Sequence, residues 1–245
     1  MNRQLNVKGY KIHYLHAGKQ HNVKETRVFL HGWALRGRAF EKLVKALGED
    51  YQVIAPDLPG FGKSDIPYFW GFEAYAQFIC DFLDELGLEK VHLMGQSMGG
   101  GIALATAALH PERVQSVMAM NSAGVPMTKG RPSLLKRFKE IWAQGYNHHL
   151  TTALLSDLFR RPRKLLRLAK VPMKHDLRPL LPRIKAPVLL AWGDLDHMYP
   201  VEFAQEMAKL IPNARVEIIH GGHHERGLIW PEIYRKLEKE FAESL

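Results

Sequence analysis

A serine set between small residues at the end of an apolar run is the first group in this sequence placed for chemistry. Residues 91–94 (Val-His-Leu-Met) lead into Gly95-Gln96-Ser97-Met98-Gly99, and Gly100 and Gly101 follow before an apolar stretch that ends at Leu109. A serine hydroxyl attacks an acyl carbonyl only when a neighbouring base takes its proton. A G-x-S-x-G turn between strand and helix pushes that hydroxyl out at the sheet edge, and the turn is so tight that small residues must flank it. Glycine costs a helix about 1 kcal/mol relative to alanine, so three in succession point to backbone crowding here. The base would be an imidazole oriented by a carboxylate. Asp194 and Asp196 follow the apolar run 188–191, and His220, His223 and His224 follow the run 216–219. By position alone, both aspartates and all three histidines qualify.

These groups converge only if the chain alternates strands and helices, and its patterning does. Residues 5–7 and 11–15 read as a hairpin about Gly9-Tyr10, and 27–30, 52–55, 91–94 and 114–120 as further strands. Phe40, Leu43, Val44 and Leu47 fall at helical spacing, as do the apolar residues of 72–86, which end at Gly87, a helix C-cap signal. The rhythm breaks at Asn121 and resumes at Pro187 with strands 188–191 and 216–219 and helices 202–210 and 231–241. This order predicts an α/β protein with a mostly parallel, doubly wound sheet.

The motifs, taken in order, resemble those of the α/β-hydrolase fold superfamily, in its esterase and lipase branch, over essentially the whole chain. They are His31-Gly32-Trp33, Asp57-Leu58-Pro59-Gly60-Phe61-Gly62-Lys63-Ser64, Gly95-Gln96-Ser97-Met98-Gly99-Gly100, Trp192-Gly193-Asp194-Leu195-Asp196 and Gly221-Gly222-His223. The resemblance implies a core of residues 1–122 and 187–245, with a helical cap, 123–186, inserted after the sixth strand. It also implies a Ser-acid-His triad in that chain order: Ser97 as nucleophile, Asp196 as acid and His223 as base, with His224 second. The amides of Trp33 and Met98 would form the oxyanion hole, and His31 would support its loop. Haloalkane dehalogenases and epoxide hydrolases of this fold carry aspartate where Ser97 stands, so Asp57 is expected only to order its loop. No cofactor is implied, and no metal site is expected, because His148-His149 and His223-His224 lack partner ligands at suitable spacing.

Composition narrows the remaining classes. The 245 residues carry a formal charge of +9. Residues 125–185 hold fifteen Lys and Arg against three acids (Glu140, Asp157, Asp176), a net +12, which leaves −3 for the rest. The basic character therefore belongs to the cap segment, where Leu134, Leu135, Phe138, Ile141 and Trp142 fall at helical spacing among Lys136, Arg137 and Lys139. A stripe of this kind predicts a cap helix with its apolar side to the cleft and its basic side outward. The resemblance implies a small-molecule ester substrate, and the basic cap points to one that is anionic or acyl-carrier-linked. Nucleic acid is not expected as a partner, since the scaffold is slightly acidic and no base-stacking module is visible. One cysteine excludes a disulfide framework. The absence of long apolar stretches argues against integral membrane association, and with no secretory signal at the N-terminus the expected location is cytoplasmic. The expected activity is carboxylic-ester hydrolysis. The rivals are a carrier-protein methyl ester esterase, a carbon–carbon bond hydrolase and a slow-turnover ligand receptor.

Overall fold

The computed structural model describes residues 2–18, 25–65, 70–126, 171, 175–224 and 230–245. The apolar runs become the strands β1 (Asn2–Val7), β2 (Tyr10–Ala17), β3 (Thr26–Leu30), β4 (Gln52–Pro56), β5 (Val91–Gln96), β6 (Val114–Met120), β7 (Val188–Gly193) and β8 (Ala214–Ile219). They form one sheet in the order β1-β2-β4-β3-β5-β6-β7-β8. β1 and β2 are antiparallel to each other, and β2 is antiparallel to β4; the pairs from β4 to β8 are parallel. The hairpin turns through Lys8 and Gly9, both at positive φ, with Val7 paired to Tyr10, one residue earlier than the expected turn.

Burial explains why the central strands are uniformly apolar: every residue of β3, β4, β5 and β7 is buried, as in a sheet covered on both faces. The helices are α1 (Glu41–Leu47), α2 (Phe72–Glu85), α3 (Met98–Leu109), α4 (Val201–Leu210) and α5 (Pro231–Glu243). Helix α1 packs on α5 and α2 on α3, and a short turn at Leu181–Arg183 touches both α3 and α4. Helix α3 is buried from Met98 to Ala108. Its three glycines and run of alanines let it lie close against β3, β5 and β6. The chain leaves the sheet after β6 and re-enters at β7, where the sequence predicts the excursion. The cap helix expected around residues 134–142 lies outside the described residues, as do the basic run 160–168 and His148-His149. Among the described residues, no helix is long and apolar enough to cross a membrane.

Candidate active site

In a parallel sheet, side chains at the C-terminal strand ends converge on one edge, and Ser97 sits there between β5 and α3. Its φ of 55° and ψ of −118° are strained for a residue with a side chain. The surroundings hold that conformation in place. The Ser97 N–H donates to the Met120 carbonyl at 3.0 Å, and its carbonyl accepts from Ala123 at 2.9 Å and Gly101 at 3.1 Å. The flanking glycines are sterically required. A Cβ on Gly95 would run into the Gly99 carbonyl, and one on Gly99 into the Leu30 carbonyl.

The same crowding brings in the loop after β3. A Cβ placed on Gly32 would lie 3.3 Å from the Ser97 Cβ. Buried His31 sets the direction of this loop. Its Nε2 accepts from the Leu58 N–H at 2.9 Å, so the neutral ring carries its proton on Nδ1 and donates to the Gly32 carbonyl at 2.8 Å. Burial pushes the imidazole below its ordinary pKa, against the pull of the Asp57 charge. The Gly32 carbonyl and the Trp33 N–H belong to one planar trans peptide and point opposite ways, so holding one aims the other. Met98 opens α3, in the first turn, where amides lack intrahelical acceptors.

Asp57 does not enter this geometry. Its carboxylate accepts from the Gly37 and Lys63 amides at 2.8 and 3.0 Å and meets His13 Nδ1 at 3.1 Å. Burial alone would raise its pKa, but His13, the nearby His31 and the two amides hold it below the ordinary carboxylate range.

Two aspartate–histidine pairs form across the turns that follow β7 and β8, and burial separates them. His220 Nδ1 lies 3.0 Å from Asp194 Oδ2 at the surface, with side chains 89% and 32% exposed. Asp194 also caps the following turn by accepting the Gly221 N–H at 2.8 Å. His224 Nδ1 lies 2.8 Å from Asp196 Oδ2, with side chains 3% and 0% exposed. The histidine expectation therefore moves by one residue: the structure puts His224, not His223, on Asp196. The turn after β8 is the reason. Gly221 takes a φ of 69°, the Gly222 N–H returns to the Ile219 carbonyl, and Gly222 packs against Gly193 with no room for a Cβ. That path leaves His223 half-exposed and carries His224 inward.

The Asp196 carboxylate accepts four hydrogen bonds. The Met198 and Tyr199 amides reach Oδ1 at 2.8 and 2.9 Å; His224 and the Asn121 side-chain amide reach Oδ2 at 2.8 and 2.5 Å. Burial would raise this carboxyl, but the facing His224 and the hydrogen bonds from His224, Asn121 and Tyr199 hold it below its ordinary value. Gln96, directly before Ser97, donates from Nε2 to the His224 carbonyl at 3.0 Å and ties the histidine loop to the Ser97 turn. Sequence reasoning missed Gln96 and Asn121. The one signal available was that the strand–helix rhythm breaks at Asn121. Among the described residues, no group of three His, Cys, Asp or Glu side chains is arranged to hold a metal ion.

Comparison with known proteins gives a consistent picture. A family model described as alpha/beta hydrolase fold matches residues 28–161 and 135–225. A 2-hydroxy-6-oxononadienedioate/2-hydroxy-6-oxononatrienedioate hydrolase of Cupriavidus pinatubonensis is 32% identical over 235 residues, 82% of this chain and 80% of that protein. A pimeloyl-[acyl-carrier protein] methyl ester esterase of Aeromonas hydrophila is 27% identical over 88% of this chain and 94% of its own. The solved structure of an esterase from Exiguobacterium antarcticum superposes with a TM-score of 0.84 at 27% identity, covering 99% of this chain and all (100%) of that one.

Proposed function

This chain belongs to the α/β-hydrolase fold family, and from that premise we propose that it is a serine hydrolase of carboxylic esters. The observation that carries the reading is the buried Asp196–His224 pair, tied by Gln96 to the turn that bears Ser97. In this mechanism Asp196 holds the His224 Nδ1 proton, which leaves Nε2 as the base. Nε2 takes the Ser97 hydroxyl proton as Oγ attacks the ester carbonyl, and the new oxyanion is met by the Trp33 and Met98 amides. Each such donor contributes ~2.7–4 kcal/mol to the transition state. The tetrahedral adduct collapses, His224 returns the proton to the leaving alkoxide, and an acyl-Ser97 ester remains. Water, deprotonated by His224, attacks that ester, and the carboxylic acid leaves as the proton returns to Ser97. No step calls for a cofactor.

The test is hydrolysis of p-nitrophenyl butyrate by the wild type and by Ser97→Ala. The expected result is a nitrophenol burst in the wild type and a kcat at least ~10⁴-fold lower in the variant, which lacks the nucleophile. Comparable turnover by both would refute the mechanism.

A second reading draws support from the 32% identical relative, whose name describes hydrolysis of a 2-hydroxy-6-oxo dienoate rather than an ester. The same residues would then cleave a carbon–carbon bond next to a carbonyl. A kcat/KM for a 2-hydroxy-6-oxo dienoate far above that for any p-nitrophenyl ester would favour it. Either substrate class suits the +12 of residues 125–185 if it is anionic or delivered on an acidic carrier. KM would then rise with salt as the charge attraction is screened.

A further inference from the structure

We infer that Asn121 is a positioning residue for the acid: its side-chain amide fixes the Asp196 carboxylate relative to both His224 and the turn that bears Ser97. The inference rests on the reading that Ser97, Asp196 and His224 carry the chemistry.

The carboxylate's four bonds differ in origin. The Met198 and Tyr199 amides belong to the loop that carries Asp196, so they move with it. His224 is the group to be oriented. Asn121 stands at the end of β6, and it is the donor that references the carboxylate to the sheet. Its backbone is anchored there, with its N–H on the Ala191 carbonyl of β7 at 3.0 Å. The residues on either side hold the nucleophile: the Met120 carbonyl accepts the Ser97 N–H, and the Ala123 N–H donates to the Ser97 carbonyl. One short stretch of chain therefore grips the nucleophile through its backbone and the acid through a side chain.

A purely structural residue at this position would look different. The backbone has a φ of 45°, where glycine is least strained. The Asn121 side chain is buried, and among the described residues its Oδ1 has no hydrogen-bond partner. Burying an unmet carbonyl oxygen is unfavourable, so an asparagine serves the turn less well than glycine would. What glycine lacks is Nδ2. That donor shares Oδ2 with the His224 Nδ1 proton and restrains rotation of the carboxylate away from the ring.

Asn121→Gly separates the two roles, because glycine tolerates this φ and offers no donor. With folding checked by circular dichroism and melting temperature, the expected result for Asn121→Gly is a kcat lower by ~10–100-fold, the scale of a modest misalignment. KM should stay within about twofold, since no substrate contact is removed. The acid limb of the kcat/KM profile should move to higher pH. Without the Asn121 proton, more charge stays on Oδ2 facing His224, which favours the imidazolium. If folded Asn121→Gly keeps the wild-type kcat and acid limb, Asn121 only shapes the turn and the inference falls. Should Ser97→Ala or His224→Ala retain activity, the underlying reading fails as well. If both are inactive while Asn121→Gly matches the wild type, only this inference fails.

Discussion

Replacing each of the three clustered histidines with alanine asks which of them is the base, and the structure sets very different scales for the three outcomes. The His220–Asp194 pair is solvent-exposed, so its removal should leave both stability and kcat near the wild-type values. His223 makes no bond to either aspartate, and the same null effect is expected. His224 sits with Asp196 in a dry site. Its loss leaves Asp196 with three donors, so the folding penalty is limited to ~1–3 kcal/mol, the cost of one unmade buried hydrogen bond. A protein of this size tolerates that loss and remains folded. The kinetic penalty is much larger. Loss of the base in a serine hydrolase lowers kcat by ~10⁴–10⁶-fold, which is ~5–8 kcal/mol at 1.36 kcal/mol per decade. Initial rates on p-nitrophenyl butyrate, corrected for folded fraction by thermal melts, measure this directly. The reasoning is refuted if His223→Ala is as inactive as Ser97→Ala while His224→Ala stays within tenfold of the wild type.

Two further outcomes test the scaffold. Gly99→Ala would drive a Cβ into the Leu30 carbonyl; it should lower the melting temperature by the equivalent of ~1–3 kcal/mol or more and reduce kcat. The second concerns Glu238, buried on α5 against Arg27. Burial raises its carboxyl from the ordinary 4.5 to about 7, against the pull of Arg27. A raised acid contributes stability that is fully present below pH 4.5 and lost as pH rises through about 7. Denaturant titrations should therefore show the wild type losing roughly 3 kcal/mol relative to Glu238→Gln across that window. A difference that stays constant with pH would rule this out.

The succession of strands and helices along the chain and the serine turn were readable in the sequence, because each depends on local patterning. Apolar runs specify buried strands, and the glycines around Ser97 are demanded by contacts within the same turn and with the neighbouring Leu30. Asp194 and Asp196 both follow β7; the resemblance picks Asp196, and it is the one the structure buries against a histidine. The histidine was not readable to one residue. Three histidines lie within five positions, and the choice among them depends on the left-handed Gly221 and on the packing of Gly222 against Gly193, a contact between two strand ends. Asn121 and Gln96 were invisible for a related reason. Each acts across the sheet on residues 75 and 128 positions away, and no local pattern marks such a partner. The buried Arg27 was likewise unreadable, because its partner Glu238 lies 211 residues on.

That arginine bears on the opposite end of the sheet. Arg27 is fully buried near the start of β3, bonded to Glu238 at 2.9 Å and to Glu25 at 2.7 Å, with its guanidinium 3.6 Å from the centre of the Tyr51 ring. In register it faces His92 on β5, whose Nδ1 meets Ser116 of β6 at 2.8 Å. A one-residue slip of β3 against β5 would turn Arg27 to the other face, away from Glu238, and strand a charge in the apolar layer. The same slip would carry Leu30 off Gly95, its partner at the far end of the ladder, and with it the loop that sets Gly32 against Ser97. The polar row at the floor of the sheet works as an alignment pin. It disfavours a shifted register and so holds the loop after β3 level with Ser97.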